Sequence, residues 1–567
     1  MTGDDRYDLK PIRAPRTAGR TLELLAGLAE GRLGGAALSG TLLTSAGVPE
    51  LRAAGSTEAP TLQPPPAPSS PPAPGHAPDP LRLAALPEPA RPEGFFPPTV
   101  GDLARAYRER RTDPVAVAEL ALACCARAEA LTPPLRAILA QDSEDVHAQA
   151  WAAAARLARG EALSPLDGIP VVVKDELDQR GYPTTVGTRF LGARGPAAED
   201  ATAVARLRAA GAVLIGKANM HEIGLGVTGV NPHHGAVRNP HAPERITGGS
   251  SSGPAAAVAA GLCPLAVGAD GGGSIRIPAA LCGAVGLKPT FGRVSERGAA
   301  PLCWSVAHVG PIAASARDAA LGYLLMAGPD PADPNTWGQP PPTLDGFGRT
   351  DLHGLRIGVY EPWFRDAEPA VVAACLRGLE ILERAGATRV AVRLPELALL
   401  RVVHMVTIVS EMAASQLEHR AQHRKDYGGD TRLNLALANR LTAADYVHAQ
   451  RLRTRLAAHF HGALAQVDAL ATPATACAAL PIPRDALRAG ESDLNALERI
   501  MRFAPAANLT GLPAISVPAG YTPEGLPVGL QLIGRMWEEH RLLAWAAVIE
   551  SQTPRRQPKV WFDLLGG

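Results

Sequence analysis

Gly248-Gly249-Ser250-Ser251-Ser252-Gly253 and Asp270-Gly271-Gly272-Gly273-Ser274-Ile275-Arg276-Ile277-Pro278 bracket the apolar segment AAAVAAGLCPLAVGA, residues 255–269. A flexible Gly/Ser linker has no need of such a buried neighbour, so both clusters read as ordered turns inside a core. Pro254, read as a first helical position, aims the free N–H groups of that turn back toward Ser250. Three successive glycines before Ser274 let several N–H groups converge on one point, an anion nest. A serine ending such a nest is placed to attack a carbonyl while the N–H groups hold the oxyanion.

Working outward, the chain alternates helix and strand signals. Helical patterns run over 114–130, 144–159 and 201–210, the last with Asp200 as N-cap and Gly211 as its stop. Short β-rich runs lie at 169–173, 212–215, 355–360, 389–394, 514–517 and 528–533. That alternation predicts an α/β fold, a large parallel or mixed sheet covered by helices on both faces. Residues 50–98 hold 15 of the 53 prolines and read as an extended or disordered linker. Before it, residues 1–49 carry Leu22, Leu25, Leu28, Leu38 and Leu42 at helical spacing with a break at Gly34–Gly35. This piece reads as a helical cap docked on the main body or, alternatively, as a membrane-surface or substrate-entry cap. The body itself is 99–567, without an internal repeat.

Composition narrows the function. With 56 basic and 55 acidic residues the net charge is +1, so bulk charge gives no nucleic-acid or acidic-membrane partner. Seven scattered cysteines show neither a disulfide framework nor a zinc spacing, and no apolar run reaches bilayer length. A soluble, cytoplasmic chain in a reducing compartment is expected. Only six of the basic residues are lysines, and Lys, unlike Arg, can be deprotonated by burial.

Lys174 ends the run Gly168-Ile-Pro-Val-Val-Val173, where a buried strand meets the sheet edge. It is either a strand-end lysine paired with Asp175 or, as a neutral amine, a base for a serine. His221, His233, His234, His241 and His308 stay open as alternative bases. Gly249-Ser-Ser251-Ser-Gly253 fits a nucleophile elbow, but Pro243–Thr247 does not read as the strand such an elbow requires. Gly224-Leu-Gly226-Val-Thr-Gly229 fits a dinucleotide loop, again without a preceding strand. His221, His233, His234 and His241 match no common metal spacing.

Lys174, GGSSSG and DGGGSIRIP together resemble the amidase signature family, in order and in the 24-residue separation of Ser250 and Ser274. CGAVGLKPT at 282–290 continues the likeness. Within the family the chain most resembles the plant fatty acid amide hydrolase branch, through LIGKANMHEIGLGVTG at 214–229, RNPHAPERITGGSSSG at 238–253, the stretch 501–535, and YDLKPIRAPRTAG at 7–19. The resemblance implies the amidase signature fold with an N-terminal helical cap, and a Ser–cisSer–Lys triad. In it Ser274 is the nucleophile, Ser250 the bridging serine in a cis peptide and Lys174 the base. The N–H groups of Gly271, Gly272, Gly273 and Ser274 form the oxyanion hole, and Asp270 and Arg276 brace the loop. It implies no metal and no cofactor, a small-molecule amide with an apolar acyl chain as substrate, and a homodimer with peripheral membrane contact through residues 20–48. The alternatives are a relative acting on short, aryl or peptide amides and the glutamine amidase subunit of a tRNA-linked amidotransferase.

Overall fold

A computed structural model that describes residues 7–12, 14–63 and 88–566 has one large mixed sheet beside two small two-stranded ribbons, 17–18 with 491–492 and 238–239 with 242–246. The eleven strands of the large sheet are β1 (Ile138–Ala140), β2 (Pro170–Lys174), β3 (Val213–Ala218), β4 (Leu265–Ala269), β5 (Val285–Lys288), β6 (Val309–Ala313), β7 (Arg356–Val359), β8 (Thr388–Ala391), β9 (Ala469–Pro473), β10 (Ala514–Tyr521) and β11 (Pro527–Gly534). Their order across the sheet is 8-7-9-11-10-5-6-4-2-3-1. The six runs expected to be strands all belong to it, as β2, β3, β7, β8, β10 and β11.

The part that positions the site is the parallel trio β3-β2-β4, with Val173 opposite Lys217 on one side and Val267 on the other. Pro-Val-Val-Val-Lys is buried at every position, the uninterrupted pattern of a parallel strand covered on both faces. Lys174 closes β2, and Asp270 follows directly on β4. Both loops therefore leave the carboxyl ends of neighbouring parallel strands, where α/β sheets place their ligand sites.

The described helices that bear on the site are α1 (Gly19–Glu30), α2 (Arg32–Ser45), α3 (Val48–Ala53), α4 (Ser252–Ala259), α5 (Arg276–Cys282), α6 (Leu397–Ser415), α7 (Gly429–Ala438), α8 (Ala443–Leu464) and α9 (Pro505–Thr510). The expected helices over 114–130 and 144–159 run over 114–129 and 143–158. The third spans 202–209 and takes no cap from Asp200, whose carboxylate accepts instead from Arg208 and from the N–H of Arg180. Pro254 is the third residue of α4 rather than the first.

The N-terminal piece differs from its reading in two ways. Its break falls at Gly31, and Gly34–Gly35 lie inside α2; the helical portion also continues to Ala53. Leu22, Ala26 and Ala29 of α1 pack on Leu433 and Ala436 of α7, clamped by Glu30 and Arg432 at 2.7 Å. Leu24, Leu28 and Leu33 stay exposed. Of the Pro-rich stretch, 64–87 lie outside the described residues. Residues 55–59 run along α8, whose Arg451, Thr454 and Arg455 donate to the carbonyls of Gly55, Ser56, Glu58 and Ala59. Side-chain donors thus satisfy a backbone that has no partner strand.

Among the described residues one helix, α6, is long and apolar enough to cross a membrane, and it packs against α7, α8 and α9 with His404, Thr407 and Glu411 on its buried side.

Candidate active site

Lys174 is fully buried, and its Nζ lies within reach of three acceptors. It donates to Ser250 Oγ at 2.8 Å and to the Ala269 carbonyl at 3.2 Å, and lies 2.6 Å from Glu176 Oε2. The plain alternative, pairing with Asp175, goes instead to Lys217 at 3.5 Å. Lys174, Lys217 and Lys288 are the three buried lysines of the six. Burial pushes Lys217 and Lys288 down, Lys288 strongly, but their nitrogens bond to the carbonyls of Leu177 and Pro289, away from both serines.

Ser250 follows a cis Gly249–Ser250 peptide bond, and its carbonyl accepts from the N–H of His221 at 3.1 Å. The next residue ties the two small-residue loops together. Ser251 donates its N–H to the Ser274 carbonyl at 3.2 Å and its hydroxyl to Ala269 O at 3.1 Å. Ser250 and Ser274 are both buried.

The loop 270–274 is braced from below by a fully buried ion pair. Arg276 Nε and Nη2 donate to the two Asp270 oxygens at 3.0 and 2.9 Å, and its remaining N–H groups reach Ala504 O, Gln531 Oε1 and Asn508 Oδ1. Burial by itself would raise the Asp270 carboxyl. The Arg276 guanidinium, by charge and hydrogen bonding, together with Asn508, overrides that and holds it well below the usual carboxylate range.

Asp270 also accepts the N–H of Gly273 at 2.7 Å, which departs from the expected oxyanion set: this donor is already committed to the brace. Among the described residues the N–H groups of Gly271, Gly272 and Ser274 have no intramolecular acceptor. The glycines are needed for space. A Cβ on Gly271 would come within 2.8 Å of Cys303 Sγ, and one on Gly272 within 2.8 Å of His404 Cε1.

His404 is a residue that sequence reasoning missed. It projects from α6 and donates Nε2–H to the Gly271 carbonyl at 2.9 Å. Burial pushes it down to about 4, so it is a neutral donor at ordinary pH. Glu176 and Asn508 were missed as well. Asn508 lies in Ala506-Ala507-Asn508-Leu509, where nothing but its polarity in an apolar run marks it.

The side chains of the other candidate histidines have partners of their own. His221 meets Asp430, His233 meets Glu222, and His234 meets the Thr188 carbonyl. His308 bonds the Val306 carbonyl at 2.8 Å, lies 3.3 Å from the Asp270 carbonyl and accepts the Asp270 N–H on its own carbonyl, at the root of the loop, and His241 stands beside Tyr521. Among the described residues no three or more His, Cys, Asp or Glu side chains converge on a point where a metal would sit. Residues 242–246 are a strand, contrary to expectation, but of a separate two-stranded ribbon, so no strand of the main sheet leads into the G-x-S-x-G turn. The G-x-G-x-x-G segment follows a single 3₁₀ turn at 222–224.

Beside Ser250 the surroundings are apolar. Val186, Leu191, Met220, Ile223, Leu302, Val306 and Met412 form one buried cluster, and a Cβ on Gly224 would lie 3.2 Å from Leu302 Cδ1 and 3.5 Å from Ser250 Oγ. A cavity of about 580 Å³ shares Val186, Leu191 and Leu302 with this cluster and is otherwise lined largely by charged residues, Asp178, Arg194, Glu199, Asp200 and Arg297 among them.

Residues 119–543 match the family model described as Amidase. The chain is 44% identical over 480 residues to a fatty acid amide hydrolase of Medicago truncatula, covering 82% of this chain and 78% of that one. It is 40% identical over 453 residues to a glutamyl-tRNA(Gln) amidotransferase subunit of Chloroflexus aggregans, covering 75% and 91%. The solved peptide amidase of Stenotrophomonas maltophilia superposes with a TM-score of 0.69 at 31% identity, over 81% of this chain and 98% of that one. With its sheet, its paired small-residue loops and these likenesses, the chain belongs to the amidase signature family of amide hydrolases.

Proposed function

We propose that this protein hydrolyses N-acyl amides with a long apolar acyl chain, such as N-acylethanolamines, through an acyl-enzyme on Ser274. The observation that carries the chemistry is the 2.8 Å contact of buried Lys174 with Ser250 Oγ, beside a loop with three uncommitted N–H donors. Ser274 Oγ attacks the amide carbon while its proton passes to Ser250 Oγ and the Ser250 proton passes to neutral Lys174 Nζ. The carbonyl oxygen takes the negative charge and sits among the N–H groups of Gly271, Gly272 and Ser274. Collapse of this adduct breaks the C–N bond, and the relay returns its proton to the leaving nitrogen. Water then repeats the sequence on the ester, releasing the acid and restoring Ser274.

The buried apolar cluster beside Ser250 supports an acyl chain. The likeness to fatty acid amide hydrolases supports the same reading. The exposed leucines of the N-terminal helices support contact with a lipid surface, from which such a substrate would enter. The competing reading, short, aryl or peptide amides, is favoured by the peptide amidase likeness. A rate profile over ethanolamides of increasing acyl length, beside simple primary and aryl amides, separates the two. The proposal requires kcat/KM to climb with chain length; a preference for short or aryl amides defeats it.

A further inference from the structure

A base that must take a proton from Ser250 has to be neutral, yet Lys174 is held as a cation would be. Its three N–H positions are matched by three acceptors, and one of them, Glu176 Oε2, is a carboxylate at 2.6 Å. The Lys174 side chain is 1% exposed and that of Glu176 8%, so water does little to screen the pair. We infer that Glu176 is a positioning residue that holds Lys174 against Ser250 and, as the carboxylate in contact with its amine, governs how the relay's rate depends on pH. This rests on the reading of Lys174 as the base.

The other groups around the pair do not replace Glu176. Cys303 stands beside Gly271, and burial pushes its thiol well up, so it stays neutral. Glu296 is likewise pushed well above its ordinary range by burial, then by Asp333 and Glu176. Glu411, on α6, spends both oxygens on Ser305 and Tyr446. Asp175 lies against Lys217, and Asp270 against Arg276. Glu176 is thus the carboxylate in direct contact with Lys174. Gly224 packs close to Glu176 and Ser250: a Cβ on it would lie 4.0 Å from Glu176 Oε2 and 3.5 Å from Ser250 Oγ.

The sign follows from charge. A carboxylate beside the amine favours the ammonium, so the neutral base appears only at higher pH, and activity is lost as pH falls. An opposite charge at this range moves such a midpoint by about 1–3 pH units. In Glu176→Gln the shape and an acceptor remain but the charge is gone. The acid side of the kcat/KM profile, measured with an uncharged amide, should move to lower pH by at least one unit. The pH dependence of fluorophosphonate labelling should move with it. Glu176→Asp, with the carboxylate drawn back by one methylene, should fall between wild type and Gln, and if Gln does not hold the native fold by circular dichroism the Asp variant still has to shift. A uniform loss of rate with the midpoint in place, or no change, overturns the inference. Lys174→Met separates this from the underlying reading: if it stays active, Lys174 is not the base. If it is inactive while the Glu176 variants do not shift, only the role of Glu176 fails.

Discussion

Replacing Arg276 by Met removes the guanidinium that faces the Asp270 carboxylate at the root of loop 270–274. At 2.9 Å and an effective dielectric of about 20, the attraction between the two charges is about 6 kcal/mol before desolvation. Breaking one side of a fully buried pair costs about 3–5 kcal/mol net, because the remaining charge is left without a partner. The variant also orphans acceptors on Ala504, Asn508 and Gln531. The pH sign is specific. The Asp270 carboxyl is held below its unfolded value, so it contributes stability at all pH above about 4 and loses it only as pH falls through its lower native value. Without Arg276 the carboxyl takes up a proton more readily, which relieves the buried charge. Urea unfolding followed by tryptophan fluorescence should show a deficit of at least about 3 kcal/mol at pH 7.5 that narrows at pH 4.5. A deficit below about 1 kcal/mol, or one equal at both pH values, would falsify the brace as described.

Other changes probe the remaining contacts. Lys174→Arg should stay folded but lose about 10²–10⁴-fold in kcat, since a guanidinium cannot take the proton; near-wild-type turnover would remove Lys174 as base. His404→Leu should lose about 1–3 kcal/mol by leaving the buried Gly271 carbonyl unpaired, and slow fluorophosphonate labelling, whereas His404→Gln should recover part of both. If Leu and Gln behave alike, the hydrogen bond is not what matters. Changing exposed Leu24, Leu28 and Leu33 together to Glu should abolish co-sedimentation with phosphatidylcholine vesicles while leaving hydrolysis of a short soluble amide in place; undiminished co-sedimentation would count against these helices as the lipid contact.

The sheet is legible where β-branched residues cluster, as in Val171-Val172-Val173, but not where small residues make up a strand. β4, Leu-Ala-Val-Gly-Ala, is as compatible with a buried helix as with a strand, and only its pairing with β2 and β6 decides it. The helices α6 and α8 are likewise hard to read, their buried faces carrying His404, Glu411, Gln450 and Arg453 rather than a clean apolar stripe. At the site, Lys174, Ser250 and Ser274 stand out because their motifs are local. The parts that could not be read are those supplied across long separations: His404 to Gly271, Asn508 to Asp270, and Gln531 to Arg276. Glu176 is the exception. It lies two residues beyond Lys174, where the adjacent Asp175 looks like the natural partner, yet the chain turns after β2 and brings Glu176 back to the amine.

The central claim is that Ser274 carries the acyl group. Incubating the protein with a fluorophosphonate and mapping the adduct by peptide mass spectrometry tests it most directly. One stoichiometric adduct is predicted, on Ser274, absent from Ser274→Ala and strongly slowed in Lys174→Met. An adduct on Ser250 or Ser251, or full labelling of Ser274→Ala, would contradict it.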